Sequence, residues 1–294
     1  MSKDTDDIAI SDAMVGDILA TEVPQWAGLP RRRIESSGTD NCMVRIGEQM
    51  VLRVPRRWSA TQYLAKELDW LPRLQGLPLA VPVLRYRGCL QDDLPFGIFD
   101  WMAGRIATPA KIADPVAAAQ SLAEFLMALH LRDTEGAPVA GESNNRRGVA
   151  LQDLAHVVHP AIDILKDEID APRARCLWDV ACAAGVQDRP VWLHGDLKAD
   201  NLIALDGTLR GVIDWGLSAV GDPGVDYAAA WTWVDPAART AFRDRLELQD
   251  RAWVRASGWA LYCAVIALSF YRGGKNEALC RQSRLTLSRL DLLR

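Results

Sequence analysis

Alternating apolar and polar positions mark three short strands early in the chain, at 33–37, 43–46 and 50–54, separated by Gly38-Thr-Asp-Asn41 and Gly47-Glu48 turns. Ser59 then caps a helix whose Leu64, Leu68 and Leu71 form one apolar stripe. Phe96-Gly-Ile-Phe-Asp-Trp-Met-Ala-Gly104 reads as an apolar strand running into a turn. Beyond Gly104 the period lengthens to that of a helix. The segment 116–130 places Leu122, Phe125, Leu126 and Leu129 on one face, and further helices are expected at 161–168, 173–184, 236–246, 250–271 and 276–290. One hairpin interrupts them: 201–205 and 208–213 flank Asp206-Gly207, a two-residue turn signal. The pattern predicts an α+β chain, with an antiparallel sheet and one helix first and a larger, mostly helical part after.

Composition narrows this picture. With 294 residues, 49% of them hydrophobic, the chain can bury one or two packed units. Its net charge is −4, with 12 basic against 14 acidic residues up to Gly104 and 22 against 24 after it, so neither half offers nucleic acid a basic lobe. Arg31-Arg-Arg33, Arg56-Arg57 and Arg146-Arg147 are short runs that read as solvated faces. The apolar run 258–271 spans 14 residues and reads as a core helix, not a membrane span. Six cysteines lack C-x-x-C spacing, and the start is polar and acidic, as expected of a reduced cytoplasmic protein.

The hairpin carries the chemistry. If Leu205 faces Thr208, then Asn201 faces Val212 and Asp214 lies two residues further along that face, at the roughly 7–8 Å of diagonal neighbours. An amide oxygen and a carboxylate at that spacing suit a magnesium ion shared with substrate phosphates, so Asn201 and Asp214 are the candidate metal ligands. Asp196, on the approach to the hairpin, is placed to accept the proton of a hydroxyl attacking a nucleotide's terminal phosphate. Each string alone has a plainer reading: His-x-Asp as a core or metal pair, Asp-Trp as a hairpin end, Asp222 and Asp226 as helix caps. On the helix after Ser59, Glu67 points partly inward beside Leu64, Leu68 and Leu71. A carboxylate at a buried edge needs a cation, and Arg53 on the third strand is the candidate, in preference to a surface ion pair. The loop Ser36-Ser-Gly-Thr-Asp-Asn41 reads equally as a phosphate cradle or a plain turn.

His194-Gly-Asp-Leu-Lys-Ala-Asp-Asn201 followed by Asp214-Trp-Gly216 resembles the protein-kinase catalytic set H-R-D-x-x-x-x-N and D-F-G. His-Gly-Asp, Val212-Ile-Asp-Trp-Gly216 and Gly221-Asp-Pro-Gly-Val-Asp226, in that order, resemble more closely the aminoglycoside phosphotransferase family of small-molecule kinases, over roughly residues 20 to 290. The resemblance implies a bilobal protein-kinase-like fold: a nucleotide-binding lobe at 1–98, a hinge at 99–104 and a helical lobe with catalytic loop and substrate site at 105–294. It implies ATP or GTP as donor and Mg2+ as cofactor, with Arg53 and Glu67 standing for the kinase lysine and glutamate. Asp100 and Met102 would offer backbone contacts to the base, His194 would brace the loop, and Asp226 would accept hydrogen bonds from its backbone. The acceptor it implies is a hydroxyl of an aminoglycoside-type antibiotic, making the chain a resistance kinase. Macrolides, peptide antibiotics, choline or homoserine are alternatives, as is a catalytically silent, kinase-shaped binding protein. For a polycationic acceptor the carboxylates of Asp163-Ile-Leu-Lys-Asp-Glu-Ile-Asp170 and Asp235 are candidates; for a flatter one, Trp231 and Trp233, although a solvated helix face and core packing are the readings these residues favour.

Overall fold

Cys42, Val44 and Ile46 are buried and their neighbours are not, the period-two pattern that makes Asn41–Ile46 a strand with one face on a core. The computed structural model describes residues 6–34, 40–186 and 189–294, so the 36–39 part of the first loop lies outside the described residues. The chain forms two compact bodies: one up to Gly104 together with Gly211–Gly216, the other Arg105–Arg210 together with Leu217–Arg294.

The first body contains α1 (Asp12–Glu22), β1 (Arg31–Ile34), β2 (Asn41–Ile46), β3 (Met50–Pro55), α2 (Thr61–Trp70), β4 (Leu84–Cys89) and β5 (Pro95–Asp100). The strands form one antiparallel sheet in the order β1-β2-β3-β5-β4. Val15, Ile18 and Leu19 of α1 join Cys42, Val44, Ile46, Leu52, Val54, Phe96 and Ile98 in its core. Helix α1 adds to the single expected helix. It is capped by Ser11, whose Oγ accepts the Met14 N–H at 3.1 Å. Its polar, acidic context hid the short apolar stripe. β1 starts at Arg31, earlier than expected, because its arginines are exposed and leave no alternation to read. Gly211–Gly216 returns to this body: Val212 N–H donates to Ala80 O at 2.9 Å, and Gly211 packs so closely that an added Cβ would lie 2.2 Å from Met102 Sδ.

The second body contains β6 (Arg105–Ile106), α3 (Pro115–His130), α4 (Ala155–Ile164), α5 (Ala171–Ala183), β7 (Val191–Leu193), β8 (Leu202–Leu205) and β9 (Thr208–Val212), which runs on into the first body at Gly211. After it come β10 (Ala219–Gly221), α6 (Gly224–Tyr227), α7 (Ala229–Thr232), α8 (Arg239–Arg245), α9 (Asp250–Tyr271) and α10 (Glu277–Arg289). β6, β8 and β9 lie in that order in one small sheet, and β10 pairs with β7 in another. By length and composition α9 could cross a membrane, but its buried face packs against α4, α5, α6 and α10, as a core helix does. Gly258 lets α9 approach α5, since a Cβ there would stand 2.4 Å from that of Ala181.

Candidate active site

The hairpin turn is as expected. Asp206 (φ 49°) and Gly207 (φ 78°) are both left-handed, the conformation that a two-residue hairpin demands of its central pair. The strand ladder does not extend to the two candidate ligands, however. Asn201 closes a 3-10 turn, Ala199–Asn201, and Asp214 stands beyond β9 with φ 67°. Strand alternation therefore does not set their facing, contrary to the expectation from hairpin register. What places Asn201 is its own amide: Nδ2 donates to Asp196 O at 2.8 Å and Asp196 Oδ2 at 3.0 Å. With the nitrogen so committed, the amide oxygen is the ligand-capable atom. Asp214 is exposed and held in a conformation that costs a non-glycine residue about 1–3 kcal/mol, the kind of strain that collects at functional sites.

His194, Gly195 and Asp196 leave β7 as a loop that backbone contacts hold in place. The buried carboxylate of Asp226 accepts His194 N–H at 2.8 Å and Gly195 N–H at 2.7 Å, and His194 Nδ1 accepts Asp196 N–H at 3.2 Å. Both residues thus brace the loop. Asp222 secures the next turn, accepting Gly224 N–H at 2.7 Å and pairing with the buried Arg255 of α9 at 2.9 Å. Gly195 is irreplaceable: its φ is 84°, and an added Cβ would lie 2.7 Å from Leu217 O, a backbone atom. Gly195→Ala is expected to lower stability by about 1–3 kcal/mol, read by urea unfolding, and to cut activity by displacing Asp196. A variant as stable and active as wild type would show that the loop relaxes freely.

Asp196 Oδ2 receives Lys198 Nζ at 2.6 Å. Burial opposes the charge of Asp196, but Lys198, Arg147 and His194 outweigh it and hold the carboxyl below its usual range. Lys198, two residues from Asp196, was not among the residues expected at the site. Asp226 differs. Burial dominates its two hydrogen bonds and, with the nearby charge of Asp196, pushes its carboxyl up to about 7. A folded-state value above the unfolded 3.8 gives stability that is fully present below 3.8 and is lost as the pH rises through about 7. Wild type is therefore expected to lose stability relative to Asp226→Asn across that window, and a gap that stays constant with pH would refute the assignment.

In the first body, Arg53 Nη1 meets Glu67 Oε2 at 2.8 Å, with side chains 9% and 3% exposed, so this pair is buried and not on the surface. The other carboxylate oxygen, Oε1, accepts Trp215 N–H at 2.6 Å, tying α2 to the residue after Asp214. The Arg53 guanidinium lies 4.6 Å from the Phe99 ring centroid. Asp100 closes β5; its carboxylate takes Arg85 in two bonds of 2.7 Å and its N–H donates to Val83 O at 2.9 Å. Among the described residues the Met102 N–H donates to no partner, while its sulfur packs on Gly211.

The expected acceptor residues have other employment. Asp163 pairs with Arg175, Asp167 with Arg272 at 2.9 Å and Glu168 with Arg284 at 2.8 Å. Asp170 caps Arg173 N–H at 3.1 Å, and Asp235 caps Ala237 N–H at 2.9 Å. Trp231 packs at a tilt against Trp253 with ring centroids 4.6 Å apart, and Trp233 Nε1 donates to Ala107 O at 2.6 Å. Trp233 and Asp235 border a cavity of about 20 Å³, room for a water and not for an acceptor. Arg147, expected on a solvated face, instead lies against Tyr262 and Cys263.

Compared with known proteins, the chain matches the family described as the phosphotransferase enzyme family (APH) over residues 32–259. No curated protein matches it. Among solved structures, it resembles the GDP complex of aminoglycoside 2'-phosphotransferase-IIIa with TM-score 0.74 and 19% identity, over 95% of this chain and 98% of that one. ADP-bound aminoglycoside phosphotransferase APH(2'')-Ib gives 0.64 and 21%, covering 95% and 98%. Macrolide 2'-phosphotransferase type I gives 0.64 and 20%, covering 95% and 98%. At these identities the likeness shows a shared fold, with the antiparallel sheet first and the helical part after.

Proposed function

The chain belongs to the APH phosphotransferase enzyme family, and on that premise we propose that it moves the terminal phosphate of ATP or GTP to a hydroxyl of a small molecule. The observation that carries this reading is Asp196: an ionised carboxylate beside Lys198 and Asn201, on a loop whose backbone is fixed by Asp226. In the proposed roles, Asp196 accepts the proton of the acceptor hydroxyl, as a positioned base does for about 10²–10⁴ in rate. Arg53, fixed by Glu67, holds nucleotide phosphate oxygens, and its permanent charge and planar fork suit that task. The Asp100 carbonyl and the Met102 amide meet the base edge.

The proposed magnesium ligands are the Asn201 amide oxygen, whose nitrogen is committed to Asp196, and the Asp214 carboxylate, each an oxygen donor of the kind a hard divalent cation prefers alongside substrate phosphates. Magnesium, when bound, supplies neutralising charge at the phosphate oxygens. Solved neighbours carrying GDP, ADP or ATP support the nucleotide donor.

For the acceptor, neighbours solved with kanamycin, streptomycin or gentamicin support an aminoglycoside-type antibiotic and a role in resistance. The carboxylates expected to receive a polycation are paired or capping, however, so macrolides, peptide antibiotics and alcohols such as choline and homoserine belong in the same test. The test is incubation of the chain with Mg2+ and ATP or GTP against that panel, read by a mass gain of one phosphate. A phosphorylated acceptor is expected. Nucleotide binding with no product across the panel would favour the silent binding-protein reading instead.

A further inference from the structure

Arg147 sits in a segment whose backbone is unusually constrained. Asn145 (φ 53°) and Arg146 (φ 58°) are consecutive non-glycine residues in the left-handed region, and Gly148 follows at φ 87°. Left-handed residues in succession persist only where the surroundings impose them. Here Asn144 does so. Fully buried, it accepts Gly141 N–H on Oδ1 at 2.9 Å and donates Nδ2 to Arg147 O at 2.7 Å and Leu217 O at 3.3 Å. The stem of Arg147 packs on the catalytic loop, its Cβ 3.4 Å from where a Gly195 Cβ would stand. Its guanidinium lies 5.1 Å from the Tyr262 ring centroid, and Nη1 donates to Cys263 Sγ.

Among the described residues, this arginine has no oxygen acceptor. A guanidinium has five N–H donors and a thiol is a weak acceptor. Nε is buried with no partner, and among the described residues no carboxylate forms an ion pair with Arg147. Other partly or fully buried arginines of this body each reach at least one oxygen: Arg255 meets Asp222, Arg289 meets Trp231 O, and Arg239 meets Ala230 O although its Nη2 is left without a partner. Arg147 is held rigid by Asn144, Tyr262 and Cys263, next to the loop that carries Asp196 and Lys198, with donor capacity in excess of what the protein uses. Such a preorganised fork matches the two oxygens of a carboxylate or a phosphate.

We propose that Arg147 binds an oxyanion beside Asp196, either an acidic group of the acceptor or the phosphoryl group in transfer. The proposal rests on the phosphotransfer reading of this site. Both sources present the same chemistry to the guanidinium, and both place Arg147 in contact with reacting or bound groups, not in a purely structural role. An acceptor acid would also account for a cation at Arg147, where a polycationic acceptor would want carboxylates.

The test uses the full chain labelled with 15N-arginine, the Arg147 Nε–H resonance being assigned by its loss in Arg147→Lys. Inorganic phosphate, gluconate, and Mg·ADP with vanadate are titrated separately. The Arg147 Nε–H resonance is expected to move downfield with phosphate, and Arg147→Met to weaken phosphate binding by about 10–100-fold, the loss of one charge-assisted contact. A shift with gluconate assigns the oxyanion to the acceptor; a shift with Mg·ADP and vanadate, but none with gluconate, assigns it to the phosphoryl group. No movement with any of the three overturns the proposal, and this wild-type measurement stands even if Arg147→Met does not fold. Failure of phosphotransfer itself would look different: the resonance responds to phosphate, yet no acceptor gains mass.

Discussion

Asp196→Ala is expected to lower phosphoryl transfer by about 10²–10⁴-fold while leaving the fold intact. The loop does not depend on this side chain for its shape. Asp226 holds the His194 and Gly195 N–H groups, His194 holds the Asp196 N–H, and Asn201 keeps its bond to the Asp196 carbonyl. Removing the carboxylate frees the Lys198 ammonium, which at 29% exposure can be hydrated, so little stability is at stake. Asp196→Asn is the sharper control, since it keeps the volume and an oxygen for Lys198 but cannot accept the proton. Both variants should match wild type in thermal unfolding and nucleotide binding and differ from it in product formed per minute. Turnover within a factor of three of wild type in either variant would move the base elsewhere.

Parts of this site were legible in the sequence for identifiable reasons. Asp206-Gly207 specifies its turn locally, because few residues besides glycine, asparagine and aspartate tolerate left-handed backbone. Glu67 was legible because its helix stripe predicts burial and a buried carboxylate needs a partner, which Arg53 supplies. The bracing by Asp226 came from family resemblance; nothing in its local spacing shows that its partners are two backbone N–H groups more than thirty positions away.

What stayed hidden depends on long-range contacts. Asp214 does not follow strand alternation, since the chain there turns left-handed and its next N–H is captured by Glu67, 148 positions earlier. The acidic segment around Asp163 looked available to a cationic acceptor because a sequence shows charge and not pairing. Arg272 and Arg284, which neutralise Asp167 and Glu168, come from more than a hundred positions away. Arg147 was expected on a solvated face because Arg146-Arg147 is a short charge run; Arg146 does sit beside Glu142 at 3.7 Å, but the left-handed turn after Asn144 sends Arg147 inward.

Glu67→Ala is expected to be the most destabilising single change in the first body, because one carboxylate satisfies two buried donors. Its removal leaves the Arg53 guanidinium inside with no counter-charge, in a site where Nε already lacks a partner, and breaking a buried pair from one side costs about 3–5 kcal/mol. It also strands the Trp215 N–H, at a residue 1% exposed, for about 1–3 kcal/mol more, although two effects sharing one side chain do not simply add. Against a typical total of about 5–15 kcal/mol, such a variant sits near the edge of folding. Glu67→Gln therefore carries the functional test. It keeps the length and one acceptor oxygen, so a smaller loss of about 1–3 kcal/mol is expected. Its amide cannot hold Arg53 by charge, and the Asp214-Trp215 peptide loses part of its anchor, so nucleotide affinity should fall together with stability. Urea unfolding of both variants, followed by equilibrium nucleotide binding of Glu67→Gln, decides the matter. If Glu67→Ala costs less than about 1 kcal/mol, the pair is hydrated and holds neither Arg53 nor the Trp215 backbone in place.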